Sequence, residues 1–217
     1  MKFTKPDASV FVPDGADPET AFRRVSHLGI GAHQDDLEIM AFHGIQKCFT
    51  SRELWFGAVT CTNGAGSPRA GEYADFSDED MAALRRREQE KAAVLGNYGV
   101  LVQLNHTSAE VKDVGTGRLR ADLVKALRLA RPEVVYTHNP ADKHDTHLAV
   151  VFTAIAALRE LAPEERPTTV YGCEVWRGLD WLDDEDKVPL DVGRREALST
   201  GLIGVYDSQV EGGKRYD

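Results

Sequence analysis

Imidazoles and carboxylates concentrate in two short stretches of this 217-residue chain, roughly a hundred residues apart. The first, Ala32-His33-Gln34-Asp35-Asp36-Leu37-Glu38, directly follows the apolar run Val25 to Ile30. The second, His138-Asn139-Pro140-Ala141-Asp142-Lys143-His144-Asp145-Thr146-His147, directly follows Glu133-Val134-Val135-Tyr136-Thr137. Each reads as a strand ending in nitrogen and oxygen donors and then opening a helix. In an open parallel α/β sheet, ligands and catalysts gather at the carboxyl ends of the strands. Two such packets therefore point to one shared site, and their donor types to a divalent metal.

Spacing sharpens this reading. His33 and Asp36 stand at i and i+3 across a strand-to-helix turn, so both can reach one ion while Asp35 points elsewhere. Asp36 in a first helical turn is also favoured as an ionised carboxylate by the positive helix end. Taken alone, the packet equally reads as two helix-capping aspartates beside a core histidine. Glu38 is a capping partner, an acceptor for a ligand imidazole or simply a first-turn acid. His144 and His147 repeat the i, i+3 spacing, and three of the seven histidines fall within ten residues. Packing alone explains that poorly. Asp142 or Asp145 serves as N-cap, with Asp145 preferred for that duty.

The surrounding elements have to place these packets. The pattern predicts strands at Val25 to Ala32, Leu54 to Cys61, Val100 to Leu104, Glu133 to Thr137 and Thr168 to Glu174. Helices are expected at Asp36 to Phe49, Met81 to Leu95 (ended by Gly96-Asn97), Arg118 to Arg131, Asp145 to Leu161 and Val188 to Thr200. This alternation predicts a single Rossmann-like domain over residues 1–217, three αβα layers around a mostly parallel sheet, with residues 1–22 an irregular arm. Asn63 to Asp80 reads as a long Gly-rich loop without a completed phosphate-binding fingerprint, hence a lid or binding loop. Arg69 in its middle either hydrogen-bonds a polar substrate or sits on the surface. Trp176 and Trp181 either stack on a sugar ring or close the core, with core preferred for at least one.

Bulk properties narrow the partners. A formal charge of −9 disfavours nucleic acid and anionic membrane surfaces. No apolar run approaches a membrane span, and Met1 to Pro6 lacks the apolar core of a signal peptide. Cys48, Cys61 and Cys173, an odd number without paired spacing, suggest free thiols and a cytoplasmic setting. Homo-oligomerisation stays open.

The two packets resemble the PIG-L/LmbE family of zinc-dependent N-deacetylases. The family's first motif, Ala-His-Pro-Asp-Asp-x-Glu, is matched by residues 32–38, and its Asp followed by His-x-Asp-His by Asp142 and residues 144–147. Weaker agreement covers Arg131-Pro132-Glu133-Val134-Val135, Ala92-Ala93-Val94-Leu95-Gly96 and Asp207-Ser208-Gln209. The resemblance implies that His33, Asp36 and His147 bind Zn2+, or another divalent ion. It implies Asp35 as general base and His144 as the group that stabilises charge or donates a proton. Arg69 and Asp142 remain as candidate substrate contacts. Gln34 replaces the usual Pro, Met40 to Gly44 a commoner Gly-Gly stretch, and Thr146 the second motif's Asp, whose orienting role then falls to Asp145 or Asp142.

The chemistry expected is hydrolysis of an N-acetyl group on a glucosamine-type sugar. A three-ligand metal activates water and polarises the acyl oxygen, and Asp35 shuttles the proton. A protonated His144, its pKa raised by Asp142 or else Asp145, stabilises the oxyanion. Rival readings are an amidase on a sugar-thiol conjugate, a closed and inert four-ligand metal site including His144, and a nucleotide-binding Rossmann enzyme.

Overall fold

A computed structural model describes residues 1–216. Six strands form one sheet: β1 (Ser9–Phe11), β2 (Val25–Gly31), β3 (Trp55–Thr62), β4 (Val100–His106), β5 (Val134–His138) and β6 (Thr169–Cys173). Their order is β1-β4-β3-β2-β5-β6, parallel throughout except for β1, which runs antiparallel to β4 at one edge. From β2 the chain builds outward one way through β3 and β4, then returns to add β5 and β6 on the other side. The switch point therefore lies between β2 and β5, the two strands that end in the histidine packets.

Alternation along the strands divides the core in two. Leu28, Ile30, Val59, Val100, Val102 and Val135 face one side, covered by α1 (Pro18–Arg23), α5 (Ser108–Lys112), α6 (Arg118–Ala130) and α7 (Asp145–Glu160). Phe56, Ala58, Leu101 and Tyr136 face the other, covered by α2 (Asp36–Met40), α3 (Phe42–Cys48), α4 (Asp78–Leu95) and α8 (Glu196–Gly204). The central strands are buried on both faces, which is why they read as near-continuous apolar runs. The three-layer αβα architecture matches the sequence expectation.

Several boundaries differ. The helix expected over Asp36 to Phe49 is two helices, broken at Ala41 (φ −109°, ψ 14°). The break lets α2 turn Glu38 inward while Gly44 of α3 lies flat on Tyr136; a Cβ on Gly44 would sit 2.6 Å from that ring. The arm at residues 1–22 is not irregular throughout. It holds β1 and most of α1, whose start carries Asp17 as N-cap and Pro18 at the first position. Thr4 pins the arm to Asp122 of α6 through its backbone N–H (2.7 Å) and hydroxyl (2.5 Å). The last long helix begins at Glu196 rather than Val188, because Pro189 and the Asp191–Gly193 turn interrupt the pattern. A short α9 (Asp207–Glu211) follows.

Candidate metal centre and active site

The ends of β2 and β5 place the two packets side by side. His33 follows β2, and Asp36 opens α2 with its carboxylate turned back to accept the His33 backbone N–H at 2.7 Å. His147 lies in the first turn of α7. Its Nε2 is 3.1 Å from His33 Nδ1 and 3.6 Å from Asp36 Oδ2, and His33 Nδ1 is 3.5 Å from the same oxygen. Three donor atoms thus form a triangle with edges of 3.1 to 3.6 Å. A tetrahedral ion with bonds of about 2.0–2.1 Å requires ligand separations of about 3.3 Å. The donor set and its spacing fit a zinc-class cation.

Protonation states agree with that use. Burial would raise the Asp36 carboxyl, but His138, His33 and His147 together hold it well below its ordinary value. Burial pulls His147 down to about 4, against the opposing pull of Asp36. An ionised carboxylate and a neutral imidazole are the forms that ligate metal.

Asp142, expected as a substrate contact, has its carboxylate engaged by protein donors. Only 6% exposed, it accepts from His147 Nδ1 at 3.0 Å, the His144 backbone N–H at 2.9 Å and the Trp176 indole at 3.1 Å. This is the carboxylate–histidine arrangement that sets the tautomer and direction of a ligand imidazole. Arg69, left open between a substrate contact and a surface position, also spends its guanidinium on the protein. It binds the Phe76 and Ala65 carbonyls at 2.8 and 3.0 Å and the Asp78 carboxylate, stapling its own loop rather than lining the cavity.

His144 stands beside the triangle, its ring stacked on that of His147 at 4.6 Å and 22°. Lone pairs lie in the ring planes, so this stacking disfavours a shared ion, while a ring nitrogen of His144 still lies within 4.8 Å of those of His33 and His147. Burial and the neighbouring His33 lower the His144 pKa, contrary to the expected protonated acid. Asp142 engages the backbone N–H of His144, and Nδ1 of the ring accepts from the Thr146 N–H at 3.2 Å. The neutral ring therefore carries its proton on Nε2. Thr146, standing where the family motif has Asp, meets His144 through its backbone.

Asp35 occupies the left-handed region (φ 98°) and makes no side-chain helix cap. On its Oδ2 converge Lys214 Nζ at 2.6 Å, the Tyr216 hydroxyl at 2.8 Å and Arg85 at 3.4 Å. Arg85 is itself buried, paired with Glu88 at 2.6 Å and bonded to the Gln34 carbonyl. Gln34 also ties the packet to β3 through the Thr62 carbonyl at 2.9 Å, a bond that Pro could not make. Gly64 (φ +73°) lets the glycine-rich loop approach here, since a Cβ would lie 2.6 Å from Gln34 and 2.8 Å from Arg85.

Above the triangle opens a cavity of about 400 Å³, walled by Ser67, Ser108, Lys112, Trp176, Gln209 and Lys214 among others. Sequence reasoning left several participants without a role. His138, fully buried, stacks on the other face of His147 at 3.9 Å and places its Nε2 3.2 Å from Asp36 and 3.0 Å from the Ala32 N–H. In the sequence it was visible only as a member of the second packet's histidine cluster, with no role given to it. Arg85, Lys214 and Tyr216 carried no local signal. Trp176 and Trp181 stay 40% and 53% exposed, so neither enters the core.

Together, the fold and this site define a Rossmann-like α/β protein with a histidine–carboxylate centre at the sheet's switch point. The family model described as GlcNAc-PI de-N-acetylase, PIG-L, matches residues 28–158, and the chain belongs to this deacetylase family. It is 26% identical over 171 residues to "Uncharacterized deacetylase YaiS" of Escherichia coli (strain K12), covering 73% of this chain and 83% of the relative. Among solved structures, the N,N'-diacetylchitobiose deacetylase from Pyrococcus horikoshii superposes with a TM-score of 0.67 at 22% identity, over 85% of this chain and 70% of that one. GalB, the 4-carboxy-2-hydroxymuconate hydratase from Pseudomonas putida KT2440, superposes at 0.61 with 16% identity, over 87% and 81%.

Proposed function

We propose that this chain hydrolyses an N-acetyl group on a glucosamine-type sugar or sugar conjugate, with a zinc-class ion held by His33, Asp36 and His147. The convergence of those three donor atoms at the cavity floor carries the reading. When bound, such an ion polarises the acyl oxygen and makes water nucleophilic near neutral pH.

The chain's own residues supply the rest. Asp35, next to Asp36 but outside the three-donor set, takes the proton of the attacking water and returns it to the leaving amine. It does so in competition with Lys214, Tyr216 and Arg85, which also restrain its carboxylate. His144 presents a neutral Nε2–H to the developing oxyanion. Asp142 holds His147 to its ligating tautomer. The polar walls, Ser67, Ser108, Lys112 and Gln209, suit a hydroxylated substrate. A sugar is also favoured by the family description, which names GlcNAc, and by the diacetylchitobiose in the Pyrococcus protein's name.

The stacking of His144 on His147 favours three protein ligands over a closed set of four. An amidase acting on a sugar-thiol conjugate would share this site and differ only in the substrate it admits. Free cysteines at 48, 61 and 173 suit a cytoplasmic setting, and no helix among the described residues is long and apolar enough to cross a membrane.

The test combines metal analysis with a free-amine release assay over N-acetylated sugars and their conjugates. We expect one ion per chain, lost in His147→Ala, and amine release from at least one N-acetylhexosamine. Full metal occupancy in His147→Ala would overturn the ligand set.

A further inference from the structure

We propose that Trp176 is a positioning residue of this centre: its indole N–H fixes the Asp142 carboxylate, which in turn directs His147. The inference rests on the reading of His147 as a metal ligand. Asp142 Oδ2 accepts from His147 Nδ1 at 3.0 Å, while Oδ1 accepts from the His144 backbone N–H at 2.9 Å and from the indole at 3.1 Å. A carboxylate committed through both oxygens cannot swing about its Cβ–Cγ bond. Without the indole, one backbone N–H alone would hold Oδ1.

Three further features assign Trp176 to the site rather than to general packing. Its ring is 40% exposed in the loop after β6, so it contributes little to the core. It lies nearly parallel to the rings of His147 and His144, at 5.6 and 6.3 Å and 18° in each case. It also forms part of the cavity wall, with Lys143 Nζ 4.5 Å from its ring centre. One side chain thus couples the cavity wall to the carboxylate behind His147.

The experiment is a Zn2+ titration of metal-free protein against a chromophoric chelator, for wild type, Trp176→Phe, Asp142→Asn and the double variant. Partners behind a metal ligand are typically worth about 10- to 100-fold in affinity. We expect Trp176→Phe, which keeps a ring but loses the N–H, to weaken binding about tenfold, at the lower end of that range. In the Asp142→Asn background the same substitution should change affinity by less than about twofold, because its path to His147 is already cut. The metal-free melting temperature should hardly move, which separates positioning from a structural role.

Wild-type affinity in Trp176→Phe, or losses that multiply in the double variant, would overturn the proposal. A wild type that binds no Zn2+ would instead remove the metal reading beneath it. Should Trp176→Phe fold poorly, the Trp176 indole 1H–15N resonance serves in its place. It must shift in Asp142→Asn, and an unmoved resonance would equally end the idea.

Discussion

Asp35 carries two burdens, a left-handed backbone that few non-glycine residues adopt and a carboxylate held by three donors. Such strain persists only where surrounding contacts over-determine it, and Lys214, Tyr216 and Arg85 do so here. Asp35→Asn should keep the metal, since its carboxylate is engaged by Lys214, Tyr216 and Arg85 rather than by the three donors, and lose about 10²- to 10⁴-fold in kcat. Loss of metal in that variant would make Asp35 a ligand. His144 offers a second test at this scale. His144→Ala should lower kcat about 10²- to 10³-fold, the value of one oxyanion donor, with metal content unchanged. Because burial and His33 keep the ring neutral, the alkaline limb of the pH–rate profile should survive the substitution. Its disappearance would restore the imidazolium acid.

Elements reach this geometry through close approaches that single residues permit. Gly44 lies in α3 where the helix meets β5, and a Cβ there would press on Tyr136 at 2.6 Å and on Phe56 at 3.2 Å. Both rings are buried, so neither has space to retreat. Gly44→Ala should therefore cost about 1–3 kcal/mol, as overpacking does, despite alanine's better helix propensity. Urea denaturation would show a lower midpoint at unchanged slope, and a neutral result would mean that α3 slides freely. In the sequence, Met40 to Gly44 stood out only as replacing a commoner Gly-Gly stretch inside one expected helix. In the fold the same residues span the break between α2 and α3.

At the scale of the whole molecule, burial of histidine links stability to pH. His27 and His147 titrate near 6.5 in the unfolded chain, but burial brings both down to about 4 in the fold. Between about pH 6.5 and about pH 4 the unfolded chain binds protons that the folded one refuses. Stability of the metal-free protein must then fall as pH drops through that window. Urea midpoints at about pH 7.5 and about pH 5 would show it, the second being lower, and His27→Gln should reduce the difference. Equal midpoints would contradict it. The fold itself does not choose the chemistry, since a deacetylase and a hydratase share it with this chain. That choice belongs to the side chains at the switch point.

Sequence alone determined the strand and helix alternation, the two donor packets and the end of the sheet on which they meet. Each is written in local spacing: apolar runs, an i, i+3 pair, a turn residue after a strand. Even some missed features, such as the Asp17-Pro18 start of α1, were locally visible. Tertiary structure alone decided that Asp142 turns toward His147, that His138 backs Asp36, that Arg69 staples its own loop and that Trp176 stands over the imidazoles. It also decided that Lys214 reaches Asp35 from 179 residues away. The direction of a polar side chain follows from which distant donors arrive beside it, and those donors converge only when the sheet closes the chain on itself.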